Sequence, residues 1–83
     1  MLFADTVGFI YIKKKMPDAA LQTLQNVVRN APGNPTFMYH LALAQMDAGN
    51  KTDARTTLRA ALEKNPSKSE SAQIREALER ISP

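Results

Sequence analysis

The chain has 83 residues and a formal net charge of +3, from 11 lysines and arginines against 8 aspartates and glutamates. It contains no cysteine, which excludes disulfide bonds and thiolate metal sites. The start, Met1-Leu2-Phe3-Ala4-Asp5, lacks the regions of a signal peptide, and no stretch approaches the ~18 apolar residues of a membrane span. We therefore expect one small soluble domain, cytoplasmic or periplasmic, and the sequence favours neither compartment.

The first two predicted helices meet at a proline. In the first, over Phe3 to Lys15, apolar residues recur at helical spacing on more than one side. Met16-Pro17-Asp18 ends it, because proline disfavours helical geometry in the residue before it and fits the first turn of a new helix. The second helix then runs from about Pro17 to Asn30, and Ala31-Pro32-Gly33-Asn34-Pro35 ends it.

The third and fourth predicted helices form a hairpin. The third runs from about Pro35 to Ala48, and Gly49 suits the capping position at its C-terminus. The fourth ends at about Lys64, and either Asn50 or Thr52 can accept backbone N–H bonds at its start.

A fifth predicted helix covers about Ser69 to Ile81. Ser69 is followed three residues later by Ala72 instead of a glutamate, which is only half of a capping box. The helix has one apolar stripe and a polar back, as a capping helix at the end of a repeat stack needs. No segment alternates like a strand, so we expect an all-α domain.

The sequence repeats itself after 34 residues. Small residues fall on small residues, large apolar residues on large apolar residues, and the closing prolines coincide. The clearest pairs are Gly8 with Ala42, Ala20 with Ala54, Leu24 with Leu58, and Pro32 with Pro66.

This period and pattern resemble the tetratricopeptide repeat from Met1 to about Lys68. Neither copy has the tryptophan of the family motif, and the second copy lacks the glycine and tyrosine that the motif has in its first helix. The first copy has Lys15 at the turn position that is usually glycine, whereas the second copy has Gly49 there. In the first copy the motif reads Ala4, Val7, Gly8, Tyr11, Ala20, Leu24, Val27 and Pro32. In the second it reads Met38, Leu41, Ala42, Gln45, Ala54, Leu58, Ala61 and Pro66.

The resemblance implies a short α-solenoid of five helices in a single domain over residues 1–83. Repeat 1 covers 1–34, repeat 2 covers 35–68, and a capping helix covers 69–83. Repeat folds usually need about three units, so we expect this chain to be a piece of a longer array. The chain also looks like the C-terminal repeats of large bacterial proteins associated with exopolysaccharide or protein-sorting systems.

No catalytic or metal-binding constellation is present in the sequence. His40 is the only histidine, and the three glycines are too far apart to form a phosphate loop. The acidic residues show no pairing beyond ordinary helix-surface charge. We therefore expect no enzyme activity, no cofactor and no metal site.

The resemblance implies a scaffold that binds a protein or peptide on the concave face of the stacked first helices. The family's clamp for a terminal carboxylate is absent, because those places carry Asp5, Phe9 and Leu43. The face is expected to include Leu2, Asp5, Thr6, Phe9, Ile12 and Lys13, then Thr36, Tyr39, His40, Leu43, Met46 and Asp47. The candidate partner-binding residues are Asp5, Phe9, Ile12, Tyr39, His40, Leu43 and Met46.

Two other functions stay open. The chain is alternatively a purely structural end segment, which caps an array or self-associates through the apolar face of its first repeat. A nucleic-acid surface is disfavoured because few aromatic side chains accompany the basic residues. Its candidate residues are Lys13, Lys14, Lys15, Arg29 and Arg55.

Overall fold

The computed structural model describes residues 10 and 12–81, and this part of the chain is helical and contains no strand. The all-α prediction is therefore confirmed. The described helices are α1 (Pro17–Asn30), α2 (Pro35–Asp47), α3 (Lys51–Leu62) and α4 (Lys68–Ile81). None of the four is both long and apolar enough to cross a membrane.

The predicted count of five helices is corrected to four for the described residues. The additional predicted helix, over Phe3 to Lys15, lies almost entirely outside them. Its described members Ile10, Ile12 and Lys13 are helical, and a turn follows at Lys14 and Lys15.

Proline begins both α1 and α2. Pro17 and Pro35 stand in the first turn, where a missing N–H leaves no hydrogen bond unmade. At the start of α2, Asn34 Oδ1 also accepts a hydrogen bond from the Phe37 backbone N–H at 3.1 Å. No side-chain cap precedes α1.

Gly49 closes α2 as predicted. It has a φ of +84°, in the left-handed region. The Gly49 N–H donates to the Met46 carbonyl at 3.0 Å, and the Asn50 N–H donates to the Gln45 carbonyl at 2.8 Å. These two bonds define a Schellman motif. Asn50 does stand at the N-cap position of α3, but its side chain makes no capping hydrogen bond.

Lys15 adopts the same left-handed conformation one repeat earlier. Its φ is +59°, and its N–H donates to the Ile12 carbonyl at 3.1 Å, as Gly49 does to Met46. A residue with a Cβ pays a conformational cost there that glycine avoids. The turn geometry is therefore kept although the glycine is absent.

Opposite substitutions at these two turns should change stability in opposite directions. Lys15→Gly should raise the free energy of unfolding by about 1 kcal/mol, and Gly49→Ala should lower it by about 1 kcal/mol. A Cβ at Gly49 would meet no atom within 4 Å, so the loss comes from the backbone alone. Urea denaturation followed by circular dichroism measures both changes. A loss of stability in Lys15→Gly would contradict the assigned turn.

Most of the buried side chains form two clusters, and α2 contributes to both. The half-buried Val28 of α1 also packs against both. The smaller cluster joins α1 to α2 through Ala20, Leu24, Leu41 and Ala44. The larger joins α2, α3 and α4 through Met38, Ala42, Ala54, Leu58, Ala61, Ile74, Ala77 and Ile81.

Alanines lie where the paired helices meet. Ala42 of α2 and Ala54 of α3 are completely buried, and so is Ala20 of α1. A small side chain lets two helix backbones approach closely, while larger neighbours such as Leu58 fill the space beside the contact. Ala42 and Ala54 therefore have the packing role that the repeated small residues predict, whereas Gly8, the counterpart of Ala42, lies outside the described residues.

A complete capping box starts α4. Ser67 Oγ accepts a hydrogen bond from the Glu70 N–H at 3.1 Å, and Glu70 Oε1 accepts one from the Ser67 N–H at 3.2 Å. The helix therefore begins at Lys68, and the prediction of half a box at Ser69 was wrong.

Candidate functional site

One side of α2 keeps apolar and aromatic side chains only half-buried. Tyr39, His40, Leu43 and Met46 belong to this group, and we call them the α2 surface. Leu43 is three or four residues from each of the other three, which places it between them on one helix side. The buried side chains of α2 are Met38, Leu41, Ala42, Ala44 and Gln45.

The core uses part of this surface. Tyr39 and Met46 pack against the larger cluster, whereas Leu43 is not among the described side chains that pack against either cluster. The rings of Tyr39 and His40 lie beside each other, with centroids 6.0 Å apart and planes tilted by 47°. The area that remains exposed on these side chains is available to another molecule.

The structure describes only one of the three binding residues predicted in the helix over Phe3 to Lys15. Ile12 is half-buried and packs against the smaller cluster. Asp5 and Phe9 lie outside the described residues. The structure therefore brings Tyr39, His40, Leu43 and Met46 together on one helix, and their relation to Asp5 and Phe9 stays a prediction.

Glu70 lies at the border of the α2 surface, although it was not among the binding residues predicted from the sequence. The Thr36 hydroxyl donates a hydrogen bond to the Glu70 carboxylate, so the first turn of α2 is bonded to the first turn of α4. The Ser67-x-x-Glu70 spacing of the capping box was the available sequence signal for Glu70. The bond to Thr36 had none, because it depends on how α4 packs.

The Glu70 carboxyl is held in its charged form. The hydrogen bond from Thr36 lowers the pKa of Glu70 most, followed by the one from the Ser67 backbone N–H. The Ser67 hydroxyl and the nearby His40 lower the pKa of Glu70 further, and desolvation opposes these effects.

Acidification should therefore weaken the attachment of α4. Because folding lowers the pKa of Glu70, its contribution is complete above the unfolded-state value of 4.5 and is lost as pH falls through the lower folded value. Glu70→Gln should lower the free energy of unfolding at pH 7, by up to about 1 kcal/mol, and by less at pH 3. Urea denaturation at both pH values measures the two differences. A difference that grows on acidification would contradict the sign.

The family of the chain follows from comparison with known proteins. A model of the tetratricopeptide repeat matches residues 11–81, which cover most of the chain and all four described helices. Comparisons with curated proteins and with solved structures gave no match. Tetratricopeptide repeats are generally non-catalytic modules that mediate protein–protein interaction. The chain belongs to the tetratricopeptide repeat family.

Proposed function

We propose that the chain is a non-catalytic scaffold that binds an extended segment of a partner protein on its concave face. The observation that carries this proposal is the half-buried state of Tyr39, Leu43 and Met46 on a helix that is apolar on several sides. Each Å² of apolar area that a ligand covers contributes about 25 cal/mol. An apolar segment of a partner would therefore gain affinity from the exposed part of these side chains.

The spacing of the α2 surface sets the length of the segment. Tyr39 and Met46 are separated by seven residues, or about 10 Å along a helix axis. An extended chain covers that distance with about three residues at ~3.3 Å each. If Asp5, Phe9 and Ile12 extend the face onto the first predicted helix, the complete segment is longer.

A peptide library tests the proposal without a known partner. The chain is immobilised and used to select from randomised 12-residue peptides displayed on phage. The affinity of the selected peptides is then measured for the wild type, Leu43→Glu and Thr56→Glu. We expect Leu43→Glu to weaken binding at least tenfold, because a carboxylate would replace the centre of the apolar surface.

Thr56→Glu is the matched control. It introduces the same charge at an exposed position of α3, outside the α2 surface, and should leave the affinities unchanged. Peptides that bind Leu43→Glu as tightly as the wild type, while its circular dichroism spectrum stays helical, would show that the site lies elsewhere.

A structural role is the second candidate, and α4 favours it. Ile74, Ala77 and Ile81 are buried, whereas most of the other α4 residues are exposed and polar. This pattern fits a helix that caps a stack of repeats. In this second proposal, repeats 1–34 and 35–68 and a capping helix over residues 69–83 form a structural segment of a larger repeat protein, one of an exopolysaccharide or protein-sorting system. If no selected peptide loses affinity for Leu43→Glu, the result would support the structural role over the binding scaffold.

Self-association is part of the structural candidate. Ile10 and Met16, near the first repeat's predicted face, are 44% and 45% exposed, and both are large apolar residues. Sedimentation velocity over a range of micromolar concentrations measures association. A monomer at every concentration would contradict this form of the hypothesis.

A further inference from the structure

The charges near the α2 surface differ in sign from those of the whole chain. The chain as a whole has a net charge of +3. Among the described residues of the predicted concave face, Lys13 is basic and Asp47 is acidic, and Glu70 adds a second acid at the border. The sequence assigns a third acid, Asp5, to the same face. The basic residues are thus concentrated elsewhere.

The two described carboxylates lie at opposite ends of α2. Glu70 is bonded to Thr36 in the first turn, and Asp47 is the last residue of the helix. Thr36, His40, Leu43 and Asp47 recur at helical spacing, so they follow one line along α2. Thr36 and Asp47 are 11 residues apart, which corresponds to about 16 Å.

Asp47 is unfavourably placed for the stability of α2. A carboxylate at the C-terminal end of a helix faces the negative end of the helix dipole. Asp47 is exposed, and its carboxylate makes no hydrogen bond or ion pair with any described residue. Within the part of the chain that the structure describes, its charge therefore holds no contact of the fold and faces solvent, where a ligand could reach it.

We propose that the partner segment is basic at both ends of an apolar stretch. One lysine or arginine would lie near Asp47 and another near Glu70, with apolar side chains on Tyr39, Leu43 and Met46 between them. This inference rests on the proposed function and adds the chemistry of the partner.

The length of α2 from Thr36, which holds Glu70, to Asp47 sets the expected spacing of the basic residues. About 16 Å corresponds to roughly five residues of extended chain at ~3.3 Å each. The partner pattern is therefore a basic residue, about four residues that include apolar ones, and a second basic residue. Each exposed ion pair should strengthen binding about two- to fivefold, and less at high salt.

The test uses the peptides that bind the wild type but not Leu43→Glu. Their sequences should contain more lysine and arginine than aspartate and glutamate, with basic residues about five positions apart. Asp47→Lys should weaken their binding at least threefold, and the helix dipole should not destabilise this variant. Glu70→Gln removes the charge but keeps one of the two acceptor oxygens that Thr36 and Ser67 use, so at a pH where the variant stays folded it should give a similar loss at the other end. Fluorescence anisotropy of labelled peptides at low and high salt measures both effects.

Glu76→Lys is the matched control, because it reverses the charge of an exposed residue of α4 that stands six positions after Glu70, on another side of the helix. It should leave the affinities unchanged. Leu43-dependent peptides without an excess of basic residues, or with equal affinity for Asp47→Lys, would refute the basic partner and leave the binding function standing. If no selected peptide depends on Leu43, the proposed function fails as well.

Discussion

Replacing Leu58 with alanine should lower the free energy of unfolding by about 3 kcal/mol. Leu58 is completely buried in the larger cluster and is among the largest side chains with no exposed area. Its removal loses apolar burial and leaves a cavity between helices that already approach through Ala42 and Ala54. A domain of this size has a total stability of about 4–12 kcal/mol, so much of it would be lost. Urea denaturation followed by circular dichroism measures the change.

Leu62→Ala is the matched control on the same helix. Leu62 is half-buried and packs at the border of the larger cluster. Its loss should cost about 1 kcal/mol, because less area is uncovered and water fills the space. Equal losses for the two leucines would show that Leu58 is not the centre of the core.

Ile74→Ala should also cost about 3 kcal/mol, and α4 should be affected first. Ile74 is completely buried and, with Ala77 and Ile81, holds α4 against the larger cluster. The half-buried Leu78 adds a smaller apolar contact with the same cluster. The hydrogen bonds that join α4 to other helices are only partly buried, such as the one from Arg55 Nη2 to the Ile81 carbonyl at 3.3 Å. In Ile74→Ala, amide hydrogen exchange should become faster than in the wild type, and the increase should be larger in α4 than in α2 or α3.

The control for α4 is Arg75→Ala, which removes an exposed side chain next to Ile74. It should change the free energy of unfolding by less than about 0.5 kcal/mol and leave the exchange pattern as in the wild type. Uniformly faster exchange in all helices of Ile74→Ala would contradict a locally anchored α4.

The sequence was sufficient for the helix class and for most helix ends. Proline and glycine act within a few residues of the chain, so Pro17, Pro35 and Gly49 mark their helix boundaries without knowledge of the tertiary structure. α1 was predicted at the bounds it has, Pro17–Asn30, and α2 was predicted one residue too long. The repeated alanines likewise predicted close helix contacts before any packing was known.

The start of α4 shows where reading of local signals failed. Ser67-Lys68-Ser69-Glu70 contains a complete Ser-x-x-Glu capping box, and the prediction that placed the cap at Ser69 was wrong. The bond between Thr36 and Glu70 is a different case. It joins two helices distant in sequence, and helical periodicity carries no information on such a contact.

The sequence predicted which α2 residues form the candidate site but not how exposed each of them is. Periodicity separated Tyr39, Leu43 and Met46 from the packing stripe, and their half-buried state agrees with that separation. How much of Tyr39 and Met46 the core covers depends on neighbouring helices, which one-dimensional spacing does not give. The role of these residues in binding stays a prediction until the peptides are measured.

Val28 has a consequence for cooperativity. In repeat proteins, stability is approximately the sum of the intrinsic terms of the units and the coupling terms between neighbouring units. Val28 of the first repeat packs against both clusters, so its methyl groups contribute chiefly to the coupling term. A smaller side chain at this position would therefore make the two repeats unfold more independently, with a broader transition, while each cluster kept its own buried residues.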